Sequence, residues 1–115
     1  MKRIFYLSTC DTCKRILNSW NTDGIELQDI KTEPMTADQV DGMIALAGSA
    51  EALFSKRARK YKELGLKDQE LNDAQIRHFI LEEYTFLKRP VLVLDDQIFV
   101  GNSKKVVEAS AEALR

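Results

Sequence analysis

The sequence encodes an α/β chain in the order β-α-β, helical insertion, β-β-α, around a mixed central sheet. Three patterns carry this expectation. An apolar, β-favouring run, Ile4-Phe5-Tyr6-Leu7, passes into helical spacing at Ile16, Leu17 and Trp20. A second short stretch, Ile25 to Ile30, alternates with period two. Near the other end, Val91-Leu92-Val93-Leu94 is a continuous apolar run followed by a turn and Gln97-Ile98-Phe99-Val100.

Taken in order, the first strand ends at Ser8, and Asp11 or Thr12 is placed to cap the helix that follows. Asp23-Gly24 stops that helix, and Ile25 to Ile30 reads as a half-buried strand. The short α-to-β connection suggests parallel strands and a right-handed crossover. Pro34 and Thr36 open a helix carrying Val40, Met43, Ile44 and Ala47, ended near Gly48. Ser49 restarts a helical segment with Leu53 and Phe54, and Asn72 with Gln75 predicts a capping arrangement for a third helix bearing Ile76, Phe79, Ile80 and Glu83. Three helical pieces in a row read as an insertion. Pro90 leads into the apolar run, which suits a central strand buried on both faces. Asp95-Asp96 turns a hairpin, and Gly101-Asn102-Ser103 closes it and caps a last helix with Val106, Val107, Ala111 and Leu114. This order is that of a thioredoxin-like fold.

A chain of 115 residues is expected to form one domain, 1–115, with the insertion at about 36–84. Hydrophobic residues at 44% and charged ones at 30% put it among soluble globular proteins. A net charge of -1 gives no reason to expect nucleic acid or a membrane surface as partner. The apolar run after Met1-Lys2-Arg3 is too short for a signal peptide, and no stretch approaches a membrane span. A cytoplasmic location follows as the expectation, and in that reducing setting a close cysteine pair is more often catalytic than structural.

The chemistry concentrates at Ser8-Thr9-Cys10-Asp11-Thr12-Cys13-Lys14-Arg15, which holds the only two cysteines. Zinc would need two further ligands, and the single histidine, His78, is far along the chain, so no metal is expected. Two inert core cysteines are the competing reading. The favoured one is a reactive thiol: Cys10 lies just ahead of a helix N-terminus, whose positive end favours thiolate. Lys14 and Arg15 would add to this by folding back.

Two arginines could serve such a thiol. On a continuous helix Leu53, Arg57, Tyr61 and Leu64 would form one stripe, putting Arg57 among apolar residues. The alternative for Arg57 is a structural salt bridge. Arg89 precedes Pro90 and is biased to extended backbone at the start of a strand expected beside the first; the alternative is a rim arginine. Guanidinium groups and free helix N–H groups would together hold an oxyanion beside the sulfur. His78, Trp20, Tyr61, Phe79, Tyr84 and the Glu82-Glu83 pair read as core or surface, without a chemical role.

The pattern resembles the ArsC/Spx family, which joins glutaredoxin-linked arsenate reductases to the thiol-dependent regulator Spx. The resemblance covers essentially the whole chain. It rests on Cys10 to Arg15, on Leu53-Phe54-Ser55-Lys56-Arg57 with Tyr61-Lys62-Glu63-Leu64-Gly65-Leu66, and on Leu87-Lys88-Arg89-Pro90-Val91-Leu92-Val93 with Asp95-Asp96 and Val100-Gly101. It implies a thioredoxin fold with a helical insert, a cis proline at 90 packed against the Cys-x-x-Cys, and Cys10 as nucleophile toward an oxyanion or an oxidised thiol. Arg89 matches an arginine that helps hold the oxyanion. A serine usually stands at the position of Cys13 in the glutathione-dependent enzymes, so the pair is more similar to Spx, where it forms a regulatory disulfide. Those enzymes also tend to carry an arginine near the glycine after the last strand, where this chain has Gly101-Asn102, and their insert arginine falls at Ser55, whereas Arg57 fits the pattern of Spx and of uncharacterised branches of the family.

The expected site is therefore catalytic Cys10, Cys13 and Arg89, with Cys13 resolving the intermediate, and substrate-binding Thr12, Arg57 and Arg89. The expected function is an arsenate reductase-like thiol oxidoreductase; the alternative is an Spx-like redox-switched regulator that binds the C-terminal domain of the RNA polymerase α subunit. No bound cofactor is expected, with glutathione and glutaredoxin, or thioredoxin, as external reductant. Expected partners are a small oxyanion or thiol substrate and a redox protein, around a monomeric chain.

Overall fold

The computed structural model describes residues 1–115. Four strands form one sheet in the order β2-β1-β3-β4: β1 is Lys2–Tyr6, β2 Glu26–Asp29, β3 Val91–Leu94 and β4 Gln97–Val100. β2 runs parallel to β1, with Tyr6 opposite Asp29. β3 runs antiparallel to β1, with Phe5 opposite Val91, and makes the expected hairpin with β4. The sheet is mixed. Asp95 turns the hairpin at φ 53, a left-handed conformation that Asp tolerates better than most residues.

The chain divides into two compact units, Met1–Pro34 with Arg89–Arg115, and Met35–Lys88. The first holds the sheet, helix α1 (Asp11–Ser19) and helix α5 (Lys104–Ala113). Ser103 caps α5 by accepting the Val106 N–H at 3.3 Å. Ile4, Ile16, Trp20, Leu92 and Leu114 form a buried cluster in this unit, flanked by Tyr6, Leu17, Phe99 and Val107. Trp20 Nε1–H donates to the Val107 carbonyl at 3.2 Å, which satisfies the polar edge of an otherwise apolar ring. Val91, Leu92 and Val93 are each at most 1% exposed. Alternate residues of a strand face opposite ways, so β3 is buried on both faces, as its unbroken apolar run predicts.

β2 corrects a sequence expectation. A half-buried strand read from alternation should turn Leu27 inward, yet Leu27 is 46% exposed and Gln28 only 1%. The buried amide is satisfied: its Oε1 accepts from Arg3 Nη1 at 3.0 Å, and its Nε2 donates to the Glu33 carbonyl at 3.1 Å. Arg3 also pairs with Glu26. Those partners remove the desolvation cost that would otherwise expel Gln28.

The second unit is helical, with α2 Ala37–Ala47, α3 Arg59–Glu63 and α4 Asp73–Glu82. Two capping boxes open the longer helices, Thr36 with Gln39 and Asn72 with Gln75, the latter as expected. Gly48, at φ 92, ends α2 where the sequence predicts. The segment after Ser49 differs. It forms a 3-10 turn, Glu51–Leu53, and Phe54 then enters an antiparallel bridge with Leu87. Ser55 N–H donates to the Phe86 carbonyl at 2.6 Å, and Lys88 N–H to the Leu53 carbonyl at 2.8 Å. These long-range bonds use backbone groups that a continuous helix would need for itself. The helical stripe therefore does not form. Phe54 stacks with Phe86 and Tyr61, at ring distances of 5.2 and 5.8 Å. Arg57 lies in an exposed turn before α3, and Leu64 is 49% exposed. No helix is long and apolar enough to cross a membrane.

Candidate active site

β1 ends at Tyr6, and a tight turn carries the chain to Cys10, whose N–H donates to the Leu7 carbonyl at 3.0 Å. Cys10 then stands at the N-cap of α1 in extended backbone, φ -97 and ψ 109. Its Sγ accepts the N–H of Cys13 at 3.4 Å. The cap is thus the sulfur itself; Asp11 and Thr12, the caps expected from the sequence, are instead in the first turn of the helix. Capping propensities favour oxygen side chains, so nothing in the local sequence announces a sulfur cap.

The electrostatics separate the two thiols. Burial opposes ionisation of Cys10, but it is outweighed together by the Cys13 N–H and thiol, the positive charge of Arg89 and the N–H of Thr12. Its pKa is held below the ordinary thiol value. Cys13 goes the other way. It has no exposed surface, and burial pushes its pKa up to about 11. A backbone hydrogen bond at Leu7 and the charge of Arg89 work against that rise, whereas its hydrogen bond to Cys10 and the Cys10 charge add to it. Both cysteines are free, Cys10 half-buried and Cys13 buried. The arrangement is one ionisable sulfur at the surface with a protonated one behind it.

Arg89 reaches this corner through strand register. Phe5 pairs antiparallel with Val91, so the residues just before Val91 lie beside the end of β1 from which the cysteine turn departs. The Arg89-Pro90 peptide is cis, as the family resemblance implies, and the Pro90 carbonyl accepts from Gly101 N–H at 2.9 Å. Cys10, Thr12, Cys13 and Arg89 all belong to the first unit, while Arg57 belongs to the second, in its exposed turn. Lys14 and Arg15 are exposed on α1, and His78 is exposed on α4. No group of three or more His, Cys, Asp and Glu side chains is placed to hold a metal ion.

Sequence reasoning missed Asp29, at the end of β2. Its Oδ1 accepts the N–H groups of Ser8 at 3.3 Å and Lys31 at 3.2 Å. Its own carbonyl accepts from Thr32 and Glu33 N–H at 3.2 and 2.8 Å. An Asp two residues before an N–H it accepts is the pattern of an Asx turn, a signal present in Asp29-Ile30-Lys31; the bond to Ser8 is long-range and had none.

The ArsC family matches residues 5–110 of this chain. Over 94 residues it is 32% identical to an arsenate reductase of Yersinia enterocolitica and 30% identical to one of Escherichia coli K12. Each alignment covers 78% of this chain and 66% of the relative, so the chain spans just under two-thirds of the length of these enzymes. The global transcriptional regulator Spx of Lactiplantibacillus plantarum is 21% identical over 101 residues, covering 85% of this chain and 76% of the regulator. Among solved structures, a protein named YffB superposes with a TM-score of 0.82 at 21% identity, with both chains fully covered. An arsenate reductase from Vibrio cholerae gives 0.73 at 20%, covering 99% of this chain and 97% of that one. At those identities the structural likeness bears on the fold, which is thioredoxin-like. With its family match running over nearly its whole length, this chain belongs to the ArsC family.

Proposed function

We propose that this protein is an arsenate reductase-like thiol oxidoreductase. The observation that carries the reading is the pairing at the start of α1: Cys10 Sγ capped by the Cys13 N–H, favoured as thiolate, with the Cys13 thiol held protonated beside it. A thiolate is the nucleophile this chemistry needs. The relatives named arsenate reductase support an oxyanion as its target.

In the proposed cycle Cys10 sulfur attacks the arsenic of arsenate. An S–As bond forms, one As–O bond breaks, and that oxygen leaves as water after protonation. Arg89 and the first N–H groups of α1, that of Thr12 included, balance the negative charge of the bound anion. The sulfur of Cys13 then attacks Cys10 sulfur. The S–S bond forms, the S–As pair of electrons stays on arsenic, and the Cys13 proton goes to the departing arsenite; two thiols are oxidised as As(V) becomes As(III). Once Cys10 carries arsenic its negative charge is gone, and with it one cause of the high Cys13 pKa. Glutathione with glutaredoxin, or thioredoxin, would return two electrons to the disulfide, so the cycle calls for no bound cofactor. The helical stripe that suggested a part for Arg57 in anion binding does not form, and Arg57 has no role in this cycle.

The test is reductant consumption with arsenate, and with a glutathione mixed disulfide, for the wild type and Cys10→Ser. Turnover that vanishes in the variant is expected; turnover that survives it would sink the reading. A second reading is supported by the Cys-x-x-Cys pair and the Spx relative: a redox-switched module that binds the C-terminal domain of the RNA polymerase α subunit. It takes over if the wild type turns over neither substrate and binds that domain only in one redox state.

A further inference from the structure

The turn that delivers Cys10 is tied down from outside. Leu7 to Cys10 closes on itself through the Cys10 N–H. Ser8, inside that turn, is fastened to the end of β2, where its N–H donates to Asp29 Oδ1 at 3.3 Å. The Ser8 side chain also favours the ionised form of the Asp29 carboxylate. Asp29 is itself fixed from three directions. Its carboxylate accepts the Lys31 N–H, its carbonyl accepts from Thr32 and Glu33, and the next residue, Ile30, donates its N–H to the Tyr6 carbonyl at 2.9 Å. In the parallel register Asp29 lies directly opposite Tyr6, the last residue of β1. The carboxylate is thus anchored to the end of the sheet and grips Ser8, within the turn that carries the nucleophile. Burial opposes its ionisation, but the Ser8, Lys31 and Thr32 groups outweigh it and hold its carboxyl below the ordinary Asp value.

We infer that Asp29 is a positioning residue for Cys10: its bond to Ser8 holds the Leu7–Cys10 turn so that the sulfur lies where the first N–H groups of α1 converge. The inference rests on the proposed role of Cys10 as thiolate nucleophile. Asp29 touches neither sulfur, so its influence passes through the turn. If that turn relaxes, Cys10 drifts from the Cys13 and Thr12 N–H groups and loses the donors that favour its ionised form.

The direction of the effect separates positioning from charge. Asp29 is negative, so as a bare charge it would disfavour a nearby thiolate, and removing it would make Cys10 more acidic. As a positioning residue its loss makes Cys10 less acidic. The experiment follows iodoacetamide alkylation of Cys10 against pH in full-length reduced protein, with each variant's fold checked by circular dichroism. Asp29→Ala should move the midpoint upward and slow alkylation at about pH 6 by roughly tenfold. Asp29→Asn, which keeps an acceptor oxygen in the same place, should stay near wild type. Asp29→Glu keeps the charge but displaces the carboxylate by a methylene, and should also move the midpoint upward; it decides the matter if the alanine variant does not fold.

A downward shift in Asp29→Ala and Asp29→Asn alike, or no shift in Asp29→Glu and Asp29→Ala, overturns the assignment. Alkylation needs neither arsenate nor reductant, so the result stands whatever the enzyme's substrate is. A wild-type midpoint at the ordinary thiol value would instead remove the thiolate reading itself, and this inference with it.

Discussion

The N–H of Cys13 points at Cys10 Sγ across 3.4 Å, so the sulfur that starts helix α1 is also the group that caps it. One hydrogen bond therefore serves both the stability of the helix and the acidity of the thiol. It also ties the two cysteines together: whatever favours charge on Cys10 raises the cost of charge on Cys13.

Cys13 should make the fold sensitive to alkali. Its folded pKa of about 11 stands above the unfolded thiol value of about 8.5. The unfolded chain then sheds this proton first, so its contribution to stability is complete below about pH 8.5 and is lost as pH rises toward about 11. Cys10 has the opposite sign: its contribution is present above the ordinary thiol range and lost as pH falls through its lowered folded value. Urea unfolding under reducing conditions at about pH 8 and about pH 10.5 should show a decline of a few kcal/mol in the wild type. That decline should be clearly smaller in Cys13→Ala, which removes the buried thiol.

Arg89 acts on Cys10 through charge. Arg89→Gln should slow Cys10 alkylation at about pH 6 by about three- to tenfold, and Arg89→Lys should restore most of it. Lysine lacks the planar fork, so the lysine variant should still bind arsenate or sulfate more weakly than wild type. Anion protection of Cys10 against alkylation measures that second effect. Equal alkylation in all three proteins would remove Arg89 from the site.

Gln28 is the polar member of the sheet core, and its value lies in its partners. Gln28→Leu leaves an Arg3 guanidinium nitrogen and the Glu33 carbonyl without their bond to this side chain. A loss of about 2 kcal/mol is expected from the denaturant midpoint, with the slope unchanged. A neutral result would mean that Arg3 is satisfied well enough by Glu26.

Trp20 joins the end of α1 to α5. Trp20→Phe keeps most of the buried ring but removes the donor to the Val107 carbonyl, and should cost about 1–2 kcal/mol. Trp20→Ala should cost about 3–5 kcal/mol through the cavity it opens among Ile4, Ile16, Leu92 and Leu114. Circular dichroism in urea measures both. The Cys10 alkylation profile should stay the same in Trp20→Phe, because the lost bond lies at the far end of α1 from the sulfur.

The local pattern determined a great deal here. The unbroken run Val91-Leu92-Val93 is buried on both faces because every residue in it is apolar, and Asn72 with Gln75 closes a capping box because both partners lie within one turn. Cys10 falls at a strand-to-helix junction for the same local reason. Tertiary structure decided whatever depended on partners distant in sequence. Gln28 turns inward because Arg3 and Glu33 meet it there, reversing the face that Leu27 suggested. The stripe from Leu53 to Leu64 breaks because Phe54 finds Leu87, 33 residues on, and that bridge leaves Arg57 in an exposed turn. The grip of Asp29 on Ser8 is of the same kind. A side chain's own spacing gives its periodicity, but hydrogen-bond satisfaction at a buried or turning position depends on which other segment the fold brings beside it.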